Sequence, residues 1–293
     1  MTLRTWRRTI RRTWGFWALM HPGPSLATAT AYVLCVLIAA HGVPSPGRLV
    51  LTTLGMICMQ FAISALNDYQ DRQTDALSEH KRKPLVMGVV APSIALALAL
   101  GLAAVMVALY APFGIIPVLT ALVGLSIGFA YDLGLKATPL SGVMLGLAFP
   151  VIPLLAWEIF STVTPALFWT FPIALALGIG IHLADALPDV EADASAGTGG
   201  LATLLGASAA PVCWGALATA GLFIAGLPLI HATPTRPFIM IPAEALALAL
   251  LVAASYLYHD QRISRVARLR RHFVLCIAVG LVLASGWLAS SVA

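Results

Sequence analysis

Charged residues are scarce in this sequence. Only 10% of its 293 residues are Asp, Glu, Lys or Arg, whereas 60% are hydrophobic. Soluble domains carry about 25% charged residues, so this composition excludes an ordinary soluble domain. The apolar residues recur in runs of about 20, which is the length of a helix that crosses the hydrocarbon core of a membrane. We therefore predict an all-α polytopic membrane protein.

Cysteine is also rare, and its four residues are isolated from one another. Cys35, Cys58, Cys213 and Cys276 each lie within an apolar run, and the sequence has no Cys-x-x-Cys pair. We interpret them as small core residues. The net charge of +5 fits membrane orientation and attraction to anionic lipid, and it gives no reason to expect a nucleic-acid partner.

Polar or Pro/Gly-rich breaks divide the chain into nine candidate membrane spans. They lie at about 16–40, 47–67, 89–111, 113–131, 139–158, 166–185, 208–230, 238–258 and 273–292. We expect one domain over residues 1–293, built from two four-helix pseudo-repeats at about 16–131 and 139–258 with the ninth helix outside the repeat.

The basic residues predict how the chain is oriented. Five arginines precede the first span, and with this end in the cytoplasm, 15 of the 17 Lys and Arg residues lie on the cytoplasmic side. The odd number of spans then puts the C-terminus on the opposite side. We expect an integral protein of a bacterial-type plasma membrane.

The few acidic residues are concentrated in two ladders. The first contains Asn67, Asp71 and Asp75, and the second contains Asp185, Asp189 and Asp193. Residues four apart lie on one face of a helix, so each ladder predicts a stripe of oxygen atoms where a span emerges. Charged residues at bilayer depth cost about 2.5–3.5 kcal/mol each, and neighbouring carboxylates repel one another. The ladders therefore require bound positive charge, and both face the cytoplasm in the predicted topology.

Oxygen-only ligands favour magnesium or calcium, and the neighbouring cations favour magnesium. Magnesium binds through few carboxylates and usually completes its coordination with phosphate oxygens. Arg72 lies within the first ladder, Lys81, Arg82 and Lys83 follow it, and Lys136 lies in the loop after the fourth span. Metal and basic side chains together are suited to a diphosphate.

These stretches carry a family resemblance. NDYQDRQTDALSEHKRKPLVMG resembles the first aspartate-rich motif of the UbiA superfamily of intramembrane prenyltransferases, and DALPDVEADASAGTGGLATLLG resembles the second. YDLGLKATPLSGVMLGLAFP is similar to the tyrosine and lysine loop before the fifth span of that family. The resemblance implies nine transmembrane helices around a central cavity with cytoplasmic cap segments.

The resemblance also implies roles for individual residues. The two ladders would hold Mg²⁺, with Asp71, Asp185 and Asp189 as the expected catalytic carboxylates. Arg72, Lys83 and Lys136 would bind the diphosphate, and Tyr131 would line its site. The implied partners are a polyprenyl diphosphate, a small acceptor and membrane lipid. No acceptor-binding residue and no oligomeric state is predicted.

The sequence departs from the family pattern at three places. Gly199 and Gly200 stand where the second motif usually has a basic residue before Thr-Leu. His21 stands where members that use an aromatic acid often have an arginine. Lys83-Pro84 replaces the common Arg-Pro, which keeps the charge but loses the planar guanidinium fork.

Three functions are compatible with these features. We favour a Mg²⁺-dependent transferase that moves a prenyl group to an aromatic or lipid-like acceptor, as in the biosynthesis of quinones or related lipids. The alternative is an intramembrane terpene cyclase of the same superfamily. A cation transporter is less favoured, because only Glu158 and Glu244 among the acidic residues lie away from the cytoplasmic side.

Overall fold

The computed structural model describes residues 13–77, 83–196, 199–229 and 236–292. Within these ranges it has nine helices long and apolar enough to cross a membrane, and no β-strand. We label these helices α1 to α9: Pro22–Ala39, Pro46–Leu77, Pro92–Tyr110, Ile115–Asp132, Ser141–Phe160, Thr170–Ala186, Ala209–Gly226, Pro237–His259 and Arg265–Trp287. The all-α fold class with nine spans is confirmed for the described part of the chain.

Proline marks the start of several helices. α1, α2, α3 and α8 each begin at a proline, at positions 22, 46, 92 and 237. Proline is favoured there because the N–H groups of a first helical turn have no partner within the helix. The predicted starts of the first and third spans, near 16 and 89, were therefore too early. The apolar run upstream of Pro22 forms a separate short helix over residues 13–19, which ends before His21, and the residues just before Pro92 are not helical.

Two helices extend further into polar sequence than predicted. α2 has 32 residues, or about 48 Å at 1.5 Å per residue, whereas the hydrocarbon core is about 30 Å thick. Its predicted end at 67 was wrong, because the acidic segment continues the helix to Leu77. α9 begins at Arg265 instead of 273, and the Ser264 side chain caps it by accepting the Ala267 N–H.

The chain divides into two compact units. The first comprises Met1–Leu133 with Leu155–Ser161, and the second comprises Gly134–Leu154 with Thr162–Ala293. In the first unit, α2 packs against α1, α3 and α4. In the second unit, α6 packs against α7, α9 and the first half of α5. Each acidic ladder thus begins on a helix that has several neighbours within its own unit, while the two pseudo-repeats stay a prediction.

Glycine allows α5 and α6 to approach closely in the second unit. A Cβ atom built on Gly178 would lie 2.3 Å from the Gly146 Cα atom. A Cβ atom built on Gly146 would lie 2.7 Å from the Leu175 Cα atom. Helices in membranes commonly pack through such small residues, since these bring the backbones into contact. This contact fixes α6, which carries the start of the second ladder.

We expect Gly178→Ala to destabilise the protein, because the new methyl group would meet backbone atoms that cannot move independently of a helix. The expected loss is about 1–3 kcal/mol, measured as a lower melting temperature in detergent. Gly215→Ala is the matched control, since Gly215 lies in α7 with open space around its Cα atom. An unchanged melting temperature for Gly178→Ala would contradict the close contact.

Candidate active site

The first ladder lies on one continuous helix, as predicted. Asn67, Asp71 and Asp75 all belong to α2 and recur at intervals of four residues. Asp75 is buried, whereas Asn67 and Asp71 are half-buried. The three side chains therefore follow one face of α2 towards its C-terminal end.

A lysine lies against this ladder. Lys83 Nζ is 2.9 Å from Asp75 Oδ2 and 3.0 Å from Asp68 Oδ1. The Asp68 side chain is only 1% exposed, and the lysine side chain is 24% exposed. One ammonium group thus bridges two carboxylates within the first unit. Lys81 and Arg82, the neighbouring cations of the sequence, lie outside the described residues.

The carboxylates keep Lys83 charged. Burial alone would lower the pKa of Lys83, but the hydrogen bond to Asp75 and the charge and hydrogen bond of Asp68 outweigh burial and raise the pKa. A raised pKa in the folded state stabilises the fold at pH values below the ordinary pKa of 10.5, and this stabilisation is lost as pH rises through the raised pKa. The Lys83 ammonium group is therefore charged throughout the neutral range.

Asp68 also binds a histidine that precedes α1. His21 Nε2 is 3.1 Å from Asp68 Oδ1. The His21 backbone has a positive φ of 43°, in the left-handed region, immediately before Pro22. This contact gives Asp68 a role that the sequence did not predict: it links His21 and Lys83 to α2.

Asp132 is a second acidic residue that sequence analysis missed. It is the last residue of α4, it is 5% exposed, and its Oδ1 accepts a hydrogen bond of 2.8 Å from Asn67 Nδ2. A signal was present, because Asp132 follows Tyr131 at the end of a span. The resemblance of this motif to the family loop rests on its tyrosine and lysine. Tyr131 itself is half-buried in the last turn of α4.

Arg72 packs on its own helix. Its guanidinium carbon lies 4.3 Å from the centre of the Tyr69 ring, and Nη1 donates a hydrogen bond to the Tyr69 carbonyl. This is a cation–π contact with a residue in the preceding turn. The diphosphate-binding role of Arg72 stays a prediction.

The second ladder is divided between two helices, which corrects the prediction of a single helical stripe. Asp185 lies at the end of α6, Asp189 lies in the following turn, and Asp193 lies in the short helix Val190–Ala196. Pro188 explains the break, because proline has no N–H group to continue the helical hydrogen bonds. Asp185 and Asp189 are exposed, and Asp193 is half-buried.

Arginines from α9 lie near the second ladder. Asp185 and Pro188 line a pocket of about 300 Å³ together with Arg265 and Arg270. Arg265 Nη1 also forms an ion pair of 3.0 Å with Glu191 Oε2, and both side chains are exposed. The sequence assigned these arginines only to membrane orientation. Their position provides cations beside Asp185 and Glu191.

The loop that contains Lys136 lies against the second motif. A Cβ atom on Gly200 would lie 3.0 Å from the Lys136 carbonyl oxygen. Ser141 Oγ accepts the Leu201 N–H at 3.2 Å and lies 2.7 Å from His182 Nε2 in α6. These contacts bring Lys136 close to the second motif within one unit. They also give a physical reason for glycine at position 200, since any side chain there would press on the loop.

The residues of the first ladder fit a magnesium ion. Their available donors are carboxylate and amide oxygens, which are the ligands that magnesium prefers. The Lys83 ammonium group at Asp75 and Asp68 demonstrates that a cation is accommodated beside these carboxylates. The same donor set argues against a soft metal such as Cu(I), which favours sulfur.

Two cysteines that are isolated in sequence meet in the structure. Cys213 Sγ of α7 and Cys276 Sγ of α9 are 4.0 Å apart, and both lie next to the buried His272. Two further hydrogen bonds involve this cluster. The Cys213 thiol donates to the Gly180 carbonyl, and the Trp214 indole N–H donates to His272 Nε2. The interpretation of these thiols as buried core residues agrees with their burial, but their contact was not foreseen.

Comparison with known proteins identifies sequence relatives of a large part of the chain. The model of the UbiA prenyltransferase family matches residues 26–278. The chain is 30% identical over 173 residues to a 4-hydroxybenzoate octaprenyltransferase of Vibrio atlanticus, covering 58% of this chain and 61% of that protein. It is 29% identical over 196 residues to the protein of the same name from Vibrio cholerae, covering 65% and 69%. The chain thus spans about two thirds of the length of these relatives.

Solved structures show the same fold at lower identity. A structure of a digeranylgeranylglyceryl phosphate synthase has a TM-score of 0.74 at 15% identity, covering 95% of this chain and 98% of that one. A UbiA homologue from Archaeoglobus fulgidus bound to GPP and Mg²⁺ has a TM-score of 0.70 at 18% identity, covering 94% and 99%. An apo UbiA homologue from Aeropyrum pernix has a TM-score of 0.70 at 19% identity, covering 89% and 97%.

We expect Lys83→Met to destabilise the protein when no divalent metal is present, because Asp68 and Asp75 would lose their shared cation. The loss should be about 2 kcal/mol, or about 5 °C in melting temperature, and Mg²⁺ should restore part of it. Arg262→Met is the control, since Arg262 is an exposed cation in the loop between α8 and α9. A melting temperature that is equal for Lys83→Met and wild type in the chelated state would contradict the bridging role.

Proposed function

The chain belongs to the UbiA prenyltransferase family, and on this premise we propose that it transfers a prenyl group from a polyprenyl diphosphate to an aromatic or lipid-like acceptor with the help of Mg²⁺. The observation that carries the proposal is the first ladder. Asn67, Asp71 and Asp75 lie on one face of α2, and Lys83 already compensates one end of this face.

The first ladder is proposed to bind metal through three side chains. Asn67, Asp71 and Asp75 supply oxygen ligands, and Lys83 neutralises Asp75 before substrates bind. When Asp75 binds a metal ion, the Lys83 ammonium group gains the diphosphate as an alternative partner. Its raised pKa supports this role, because the group is positively charged at any neutral pH.

The second ladder is proposed to act in the same way on a prenyl diphosphate. Asp185, Asp189 and Asp193 supply carboxylates, of which the first two are exposed. Lys136 supports the diphosphate from a loop that is held against Gly200. Tyr131 and Arg72 complete the proposed set of contacts.

Loss of the diphosphate is the step that needs most stabilisation. Bound Mg²⁺ supplies positive charge that offsets the charge of the leaving diphosphate. The basic side chains add to this effect by direct charge-assisted hydrogen bonds. The apolar spans exclude water, so that the electron-poor allylic carbon reacts with the acceptor and not with the solvent.

The orientation of the chain in the membrane is also proposed. The protein is an integral membrane protein, and the distribution of its Lys and Arg residues supports a cytoplasmic N-terminus, a cytoplasmic active site and a C-terminus on the opposite side. The length of α2 supports an interfacial active site, since its last turns extend beyond the thickness of the hydrocarbon core.

We expect the detergent-purified protein to release diphosphate from a prenyl diphosphate only when Mg²⁺ and an acceptor are both present. The assay uses diphosphates of several chain lengths, each with and without an acceptor mixture that includes 4-hydroxybenzoate, and identifies products by mass spectrometry. The expected product is heavier than its acceptor by one prenyl group. A terpene or terpene alcohol formed without acceptor would instead establish a cyclase, and the absence of any Mg²⁺-dependent product would contradict both.

Asp71→Asn should lower turnover at least about 100-fold, because it removes a charged metal ligand without changing the size of the side chain. Asp260→Asn is a matched control, since this loop carboxylate accepts the Arg262 N–H, which an amide oxygen can also accept. Retention of full activity by Asp71→Asn would refute the metal-binding role of the first ladder.

Lys136→Ala should raise the KM for the prenyl diphosphate about tenfold, equivalent to a loss of about 1.4 kcal/mol in binding, without changing the identity of the product. Lys136→Arg retains the positive charge and should behave like the wild type to within a few-fold. An unchanged KM in Lys136→Ala would show that this lysine does not contact the diphosphate.

A further inference from the structure

Asn67 differs from the other members of the first ladder because only one end of its amide can bind a cation. Its carbonyl oxygen is a magnesium ligand, whereas its NH₂ group is a donor and repels a cation. Rotation by half a turn about the last side-chain bond exchanges the two ends. The usefulness of Asn67 as a ligand therefore depends on a neighbour that fixes its orientation.

Asp132 has the chemistry that this task requires. Its Oδ1 lies 2.8 Å from Asn67 Nδ2, and the residue is 5% exposed. An ionised carboxylate accepts hydrogen bonds and donates none, so the Asn67 amide must turn its NH₂ group towards Asp132. The Asn67 carbonyl oxygen then faces away from Asp132.

The helix packing places the two residues in register. One turn before them, α4 and α2 also meet, where a Cβ atom on Gly128 would lie 2.5 Å from Ile63 Cδ1. Gly128 precedes Asp132 by four residues, and Ile63 precedes Asn67 by four, so both pairs follow the same line of contact. The missing side chain at Gly128 lets α4 lie close enough to α2 for the short Asp132 side chain to reach Asn67.

We propose that Asp132 is a positioning residue for the metal site, because its carboxylate holds the Asn67 amide with the carbonyl oxygen available to the cation. The inference rests on the proposed function of the first ladder, and it adds a residue outside that ladder. Many metal-binding histidines are oriented in a similar way, by a carboxylate that accepts a hydrogen bond from the ring nitrogen that does not bind the metal. It also accounts for asparagine at position 67, since an aspartate there would repel Asp132, whereas asparagine both donates to Asp132 and offers an oxygen atom.

The test measures Mn²⁺ binding to the detergent-purified full chain by the EPR signal of free Mn²⁺, with no substrate present. Asp132→Asn leaves the Asn67 amide able to face either way, and the dissociation constant for Mn²⁺ should rise about 10–100-fold. The exchange variant Asn67→Asp/Asp132→Asn restores a donor–acceptor pair with a carboxylate at position 67. Its dissociation constant should return to within about threefold of wild type.

Glu158→Gln is the matched control for removal of a carboxylate charge from the same unit. Glu158 accepts a hydrogen bond of 2.7 Å from Thr120, which lies near the opposite end of α4. The Mn²⁺ affinity of the Glu158→Gln variant should equal that of the wild type. Melting temperatures in the chelated state check that each variant is folded, and if Asp132→Asn does not fold, the exchange variant alone carries the prediction.

Wild-type Mn²⁺ affinity in Asp132→Asn, or affinity in the exchange variant as weak as in Asp132→Asn alone, would overturn the inference. Asp71→Asn separates this outcome from failure of the proposed function. If Asp71→Asn loses Mn²⁺ binding while Asp132→Asn retains it, only the positioning role is wrong. If Asp71→Asn and the wild type bind Mn²⁺ equally, the first ladder is not the metal site.

Discussion

The structure of the first unit depends on compensating the charge of carboxylates at the end of an apolar helix. Asp68 and Asp75 are buried on α2, and one ammonium group, that of Lys83, lies within 3.0 Å of an oxygen of each. Removing one partner of a buried ion pair leaves a charge that the medium cannot solvate, so the arrangement tolerates exchange of one cation for another but not removal. That property suits a site in which a metal ion and a diphosphate replace internal partners.

The need to give each carboxylate a partner also explains residues that take no direct part in the chemistry. Gly128 brings α4 towards α2, so that Asp132 reaches Asn67. In the second unit, Gly200 lets the Lys136 loop lie against the second motif. Arg265 and Arg270 line a pocket with Asp185 and supply positive charge from another helix. Close backbone packing thus determines which charged groups become neighbours.

Much of this fold follows from the sequence, whereas the partners of individual side chains do not. Runs of apolar residues predicted all nine spans, because burial in lipid leaves a strong compositional signal. Helix ends were less predictable: hydropathy does not register a proline such as Pro22, nor does it show that the acidic segment up to Leu77 stays helical. The spacing of the first ladder predicted its common face correctly, but Pro188 breaks the second. Asp132 was missed because its role depends on a contact with a residue 65 positions away.

The most direct test of the account is to locate Mn²⁺ by anomalous diffraction in crystals grown with an unreactive prenyl diphosphate analogue. We expect Mn²⁺ bound to oxygen atoms of Asn67 or Asp71 in the first ladder and of Asp185 or Asp189 in the second, with diphosphate oxygens completing the coordination. Mn²⁺ bound away from both ladders, with the Lys83 contacts to Asp68 and Asp75 unchanged in the presence of the analogue, would contradict the account.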